Sequence, residues 1–331
     1  MQLIIYSKSL IVNFFYIAHQ RPIGIVSQVL PVIGVWLHLP LKVIAVLYSL
    51  GDIIWYYLLF LLMAYKLETR RGIICLLLIL SLTIRYIFLS SDGMQGLTLL
   101  PVWLCMLGRS FRFRFPILIT LMAIIIFSHP LLFYPLAFTF AWWSMSRAEG
   151  AKSINSEKSR LPKILWPALI ILMALKFFLL DSYDHDKTFY PVVHNDYGFL
   201  KSLSVETVFD LMKVIAANYT ITTLLFVVTI AIYAMQRRLK SSVLLIASVL
   251  GYLIIIAATH RFGGISNYSE RMLLPIPFMI AMASWSISLS RVFVPKQMSF
   301  VGLLLVLLLH LDVLRIRRRN LVLCALNKLN R

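Results

Sequence analysis

Charge is what this chain has least of. Only 14% of its 331 residues are Asp, Glu, Lys or Arg, against about 25% in a soluble domain. That shortage excludes an ordinary soluble globular protein. Acid is scarcer still, with 13 Asp and Glu against 32 Lys and Arg and a formal net charge of +19. Residues 1–51 contain no acid at all, so no catalytic carboxylate can come from them. Cysteine is almost missing. Cys75, Cys105 and Cys324 lie in apolar stretches without paired spacing, which removes a disulfide framework and a cysteine metal site. The opening "MQLIIYSKSLIVNFFYIAHQRP" has no clean apolar run and no small-residue cleavage site, so it does not read as a cleavable signal peptide.

What the chain does have is apolar length. It is 60% hydrophobic, and apolar stretches of 16 or more residues recur from end to end. A helix of about 20 such residues crosses a hydrocarbon core of roughly 30 Å. Lipid leaves no water to satisfy backbone groups, which limits spanning structures to helices and closed barrels. The runs are continuous rather than alternating, and this argues against a barrel. The expectation is an all-α, polytopic transmembrane helical bundle of about ten spans. They are placed at 41–65, 72–90, 95–108, 115–128, 131–146, 161–180, 219–236, 241–259, 272–290 and 298–314. Several are short, and Pro130 and Pro135 divide 115–146 into two helices.

Basic residues orient this arrangement. Loops 66–71, 109–114, 147–163, 237–240 and 291–297 hold 16 Lys and Arg, whereas 91–94, 129–130, 182–218 and 260–271 hold five. The first group is expected in the cytoplasm. The excess charge is thereby topological, and no soluble basic domain is present to bind nucleic acid. The tail 315–331 is strongly basic yet falls on the outer side by this count. One integral membrane domain is expected over 1–331, with 1–40 as an interfacial or outer segment. Residues 147–163 form a cytoplasmic linker, 182–218 an outer loop and 315–331 a basic tail.

Groups able to do acid–base or anion chemistry collect on the outer face. Asp92, Asp184 and His129 are the candidates for acid–base work. His19 and Arg21 stand in "AHQRPIGIVSQVLP", which reads equally as an amphipathic helix anchored at the interface. His129, in "SHP", reads either as a site residue or as a polar helix cap. Asp184, His185 and Asp186 in "LDSYDHDKTFY" have the ligand chemistry for a divalent metal, although such a cluster is also an ordinary solvated loop. No other cofactor is indicated. In "THRFGGISNYSERMLLP", Gly263 and Gly264 permit a tight turn. His260, Arg261 and Arg271 flank it. Guanidinium forks match phosphate oxygens, and the competing reading is an arginine reaching to lipid headgroups.

Two segments carry a resemblance. "ERMLLPIPFMIA" resembles the "RYLLP…P" segment that opens a late helix in polyprenol-phosphate-dependent membrane glycosyltransferases of the C-type superfamily. "SHPLLFYPLAF" between two short helices also looks like that superfamily. The resemblance implies transfer of a sugar from a polyprenyl phosphate or pyrophosphate carrier to a glycan or lipid acceptor. It places the reaction on the exoplasmic face of the bacterial inner membrane, with Arg271 against the carrier phosphate. One departure stands out: the family keeps its catalytic Asp or Glu in the first outer loop, where this chain has none. The resemblance then implies either a missing N-terminal helix and loop or impaired catalysis. Two other readings fit the residues: an O-antigen polymerase or ligase, and a non-catalytic membrane protein or transporter. For the last, Asp52, Arg85 and Lys176 are the ionisable residues placed within spans.

Overall fold

The computed structural model describes residues 21–67, 92–109, 111–150, 156–179, 209, 211, 213, 215, 220–259 and 273–288. Among them every regular element is helical and no strand occurs. A 3-10 turn, Pro22–Gly24, leads into α1 (Ile25–Trp36). α2 (Leu41–Leu61) runs on into one π-helical turn, Leu62–Lys66. α3 (Asp92–Leu107) and α4 (Arg114–Ser128) follow. A second 3-10 turn, Pro130–Leu132, opens α5 (Phe133–Gly150), and α6 is Ser156–Phe178. The remaining helices are α7 (Thr220–Met235), α8 (Leu239–Thr259) and α9 (Pro275–Ser288). Among the described residues, three stretches are long and apolar enough to cross a membrane: Leu41–Lys66, Leu161–Phe178 and Leu239–Ala257. The helices on the predicted spans 95–108, 115–128, 219–236 and 272–290 are shorter, and 72–90 and 298–314 lie outside the described residues.

The chain forms two compact units, one from 1–76 with 86–187 and the other from 77–85 with 188–331. In the first, α3 is the central element. Its sequence "DGMQGLTLLPVWLCML" is apolar on every face after the first turn, and such a helix is stable only when surrounded. Residues from Met94 to Val102 are buried without exception. α2, α4, α5 and the Pro22–Gly24 turn pack around it.

α2 and α3 run parallel and in register. Gln95 bonds Asp52 near the start of α3, and Arg109 bonds the Lys66 carbonyl at its end, each pair being 43 residues apart in sequence. Arg109 also donates to the Leu67 carbonyl, 2.5 Å away, and Arg114 donates to the Leu107 carbonyl. Both arginines thus sit on helix C-termini, where carbonyls lack partners and the dipole is negative.

α4 returns antiparallel to α3. The Trp103 indole N–H donates to the Leu118 carbonyl at 3.0 Å and pins the pair toward the end of α3 and the start of α4. Gly96 allows the close approach at the other end: a Cβ there would lie 2.6 Å from both Ser128 Cβ and Leu132 Cδ1. The apolar run over 115–146 is two helices, as Pro130 and Pro135 predict. His129 breaks it in extended conformation, φ −160°, and the Leu131 N–H bonds His129 Nδ1 at 3.3 Å. α6 lies antiparallel along α5, with ring centroids 6.1 Å apart for Phe133–Phe177 and 4.8 Å for Phe140–Trp166.

α1 folds back along α2. Its C-terminus closes with Leu39 N–H on the Gly34 carbonyl and His38 N–H on that of Val35. This is a Schellman closure, and His38 takes the left-handed position at φ 53°. Tight crossing needs Gly51, where a Cβ would stand 2.9 Å from the Ser27 carbonyl oxygen. In the described part of the segment 18–31, Ser27 and Gln28 are turned inward and buried. Their side chains both donate to the Gly24 carbonyl, each at 3.1 Å.

In the second unit α7, α8 and α9 pack against one another. The Thr229 and Ser284 hydroxyls bond at 2.7 Å, and Tyr233 OH donates to the Ala283 carbonyl at the same distance. α7 ends in a second Schellman closure, with Arg237 at φ 56°.

Candidate functional site

Polar side chains of the first unit gather where α3 begins and α4 ends. Five segments meet there: the turn at 21–24, the first turn of α1, the middle of α2, the start of α3 and the α4–α5 junction. Asp92, the first residue of α3, places its charge at the positive end of the helix dipole. Arg21 Nη1 stands 3.6 Å from Asp92 Oδ2, and both side chains are largely buried. The carboxylate lies over Gly24, where a Cβ would come within 3.2 Å of Asp92 Oδ1. A larger residue at 24 would push Asp92 away from its position beside Arg21.

One turn further along, the Gln95 amide donates to Asp52 Oδ1 at 2.6 Å. Both residues are buried, Gln95 fully and Asp52 at 6% exposure. Ser27 hydrogen-bonds the Tyr48 phenol, which lies within electrostatic reach of both Asp52 and Asp92. The imidazole of His129 rests on Gly93, its Cδ2 3.4 Å from where a Cβ would be. Because Nδ1 accepts the Leu131 N–H, the neutral ring carries its proton on Nε2 and offers a donor there. The cap role and a place beside the cluster therefore coincide in this residue. Lys176 is buried near the end of α6, its ammonium 5.5 Å from the centroid of Phe127, two residues before His129.

The arrangement separates two chemistries along α3. Asp92, Asp52, Arg21 and His129 stand toward its start, while Lys66, Arg109 and Arg114 stand at its end. Described parts of the predicted inner loops 66–71 and 109–114 share one end, and those of 91–94 and 129–130 share the other. Three predicted site residues, Arg21, Asp92 and His129, are brought together. His19, Asp184, His185, Asp186, His260, Arg261 and Arg271 lie outside the described residues. Among the described residues no group of three or more His, Cys, Asp or Glu side chains is placed to hold a metal ion.

Sequence reasoning missed Gln95 and gave Asp52 no role in this site. A signal was available for Asp52, since an ionisable residue inside an apolar helix of spanning length marks a functional position by default. For Gln95 there was none, because its importance depends on which helix faces α3.

No family model matches the sequence, and comparison with curated proteins and with solved structures finds no significant similarity.

Proposed function

We propose that the chain is a multi-pass protein of the cell inner membrane, with about ten spans, that acts on a polyprenyl-phosphate-linked sugar at the exoplasmic face. The observation that supports this reading is the Arg21–Asp92 pair beside His129, at the end of α3 opposite its arginine-capped end. Asp92 is the base that accepts a proton from the hydroxyl of a glycan or lipid acceptor. Arg21 holds the carboxylate in place, and His129 Nε2–H donates to an oxygen of the reacting sugar. The carrier phosphate leaves with its negative charge; Arg271 keeps the part that the resemblance implies, contact with such a phosphate, and His260 and Arg261 are the further candidates in the sequence.

The test uses purified chain in lipid nanodiscs with synthetic polyprenyl-phosphate hexoses and hydroxyl acceptors. Wild type should release polyprenyl phosphate in step with glycosylated acceptor. Asp92→Asn should lose at least 100-fold in rate, on the scale of general-base catalysis, about 10²–10⁴, while still binding the carrier. Equal turnover by the two proteins, or no carrier binding by wild type, overturns the reading.

A second reading has one observation in its favour. Asp52 is buried near the middle of a helix long enough to span, and intramembrane carboxylates serve ion and proton pathways in transporters. Proton uptake by chain-containing vesicles, abolished in Asp52→Asn, would favour transport over sugar transfer.

A further inference from the structure

We propose that α1 and the first half of α2 form a hairpin wedged into the outer leaflet, with Trp36 at headgroup level and both carboxylates below it. The inference rests on the reading that this chain is embedded in a membrane. It does not depend on sugar transfer.

Depth follows from helix rise. Lys66 and Arg109 mark one membrane boundary, because a lysine and a capping arginine share that end of α2. A hydrocarbon core of about 30 Å corresponds to about 20 helical residues at 1.5 Å each. Counted back from Lys66, the core ends near Val46. α2 begins earlier, at Leu41, so roughly its first turn projects beyond the core. α1 has 12 residues, a length of about 18 Å, too short to cross alone.

The pairing of α1 with α2 gives the depth of α1. Gly51 touches Ser27, and Gly34 stands against Ile44 and Leu47. The helices are therefore antiparallel, and Trp36 comes abreast of Lys42. That level lies about 6 Å beyond the core edge by the same rise, in the layer where Trp and Lys anchor membrane proteins. Below it the hairpin bares apolar side chains on both helices, with Val29, Ile33, Val43, Val46 and Leu50 all exposed. This face continues down α2 through Ile53, Ile54, Tyr57 and Leu58. A continuous apolar surface of this kind does not stand in water. Its continuity with the span identifies the occupant as lipid chains.

The register then places Asp52 about 9 Å and Asp92 about 4 Å inside the outer edge of the core.

Nitroxide labels at Val29→Cys, Ile54→Cys and Trp36→Cys, in the full-length chain with its three cysteines replaced by serine, read the depth in phosphatidylcholine–phosphatidylglycerol vesicles. Both 29 and 54 carry exposed side chains, and the same register puts them inside the core by about 4 and 12 Å. Collisions with oxygen should dominate at 29 and 54, and position 36 should fall within about 5 Å of the phosphates, as interfacial anchoring requires. Water-like collision with a nickel chelate at 29 and 54 overturns the proposal, as does shielding from both reagents, which would mean a covering protein. A label at 36 near the bilayer centre also overturns it. The cysteine-intact chain provides a second measurement: Trp36→Phe should remove tryptophan emission quenched by lipids brominated near the headgroup. No change in that quenching counts against the hairpin. Loss of sugar-transfer activity would leave these depths unchanged, so the two proposals fail separately.

Discussion

Asp52 and Gln95 lie 43 residues apart in sequence, and 2.6 Å separates the Gln95 amide nitrogen from the Asp52 carboxylate oxygen. The contact joins α2 to α3 within an apolar interior. A buried polar group left without its partner costs about 1–3 kcal/mol. Asp52→Ala and Gln95→Ala should each destabilise the protein by about that amount. Combined, they should cost less than the sum, because removing one partner already breaks the bond. Thermal unfolding of the four proteins in detergent measures the coupling, and strictly additive losses would rule out a stabilising contact.

Gly51 and Gly96 test the helix crossings. Their added Cβ atoms would meet the Ser27 carbonyl oxygen at 2.9 Å and the Ser128 and Leu132 side chains at 2.6 Å. Overpacking of this kind costs about 1–3 kcal/mol, so Gly51→Ala and Gly96→Ala should both lower the unfolding midpoint. Gly51→Ala meets backbone, which cannot rotate away, and should be no milder than Gly96→Ala. Gly108→Ala is the control. Its nearest contact is 3.5 Å, to the Cys105 carbonyl oxygen, so it should change the midpoint little.

Arg109 holds the end of α2. Arg109→Ala removes both donors to the Lys66 and Leu67 carbonyls. The expected loss is about 1 kcal/mol, given partial exposure. Arg109→Lys should recover part of it, since an ammonium lacks the two-pronged fork. Hydrogen exchange at residues 62–67 provides the readout. Unchanged protection in Arg109→Ala would show that the π-helical turn stands without its cap.

Tyr233→Phe isolates one bond of the second unit, the donation to the Ala283 carbonyl. Ring packing is retained, so the cost should be about 1 kcal/mol from the lost hydrogen bond. Thr229→Val, by losing the hydroxyl contact with Ser284, should weaken the same α7–α9 interface. Stability unchanged in the double variant would contradict this account.

Much of the local structure is legible in the residues. Apolar length marks α2, α6 and α8, and the Pro130 break is plain in "SHPLLFYP" because proline cannot donate and disfavours helix before it. The ends of α1 and α7 were harder to see. A Schellman closure usually announces itself with glycine, whereas His38 and Arg237 fill the left-handed positions here. The site was legible in part. The charge bias of the loops puts Asp92, His129 and Arg21 on one face, but nothing in their spacing says that they meet.

The sequence by itself determined that this chain is helical, apolar and biased toward basic loops, because length, hydropathy and charge count act locally along the chain. Only the tertiary structure decided which polar residues share a neighbourhood. That depends on the rotational phase of each helix and on contacts across dozens of residues. The 43-residue register that brings Gln95 to Asp52 and Arg109 to Lys66 is such a fact. So is the turning of Ser27 and Gln28 inward against α2, where Gly51 gives the backbone room to approach.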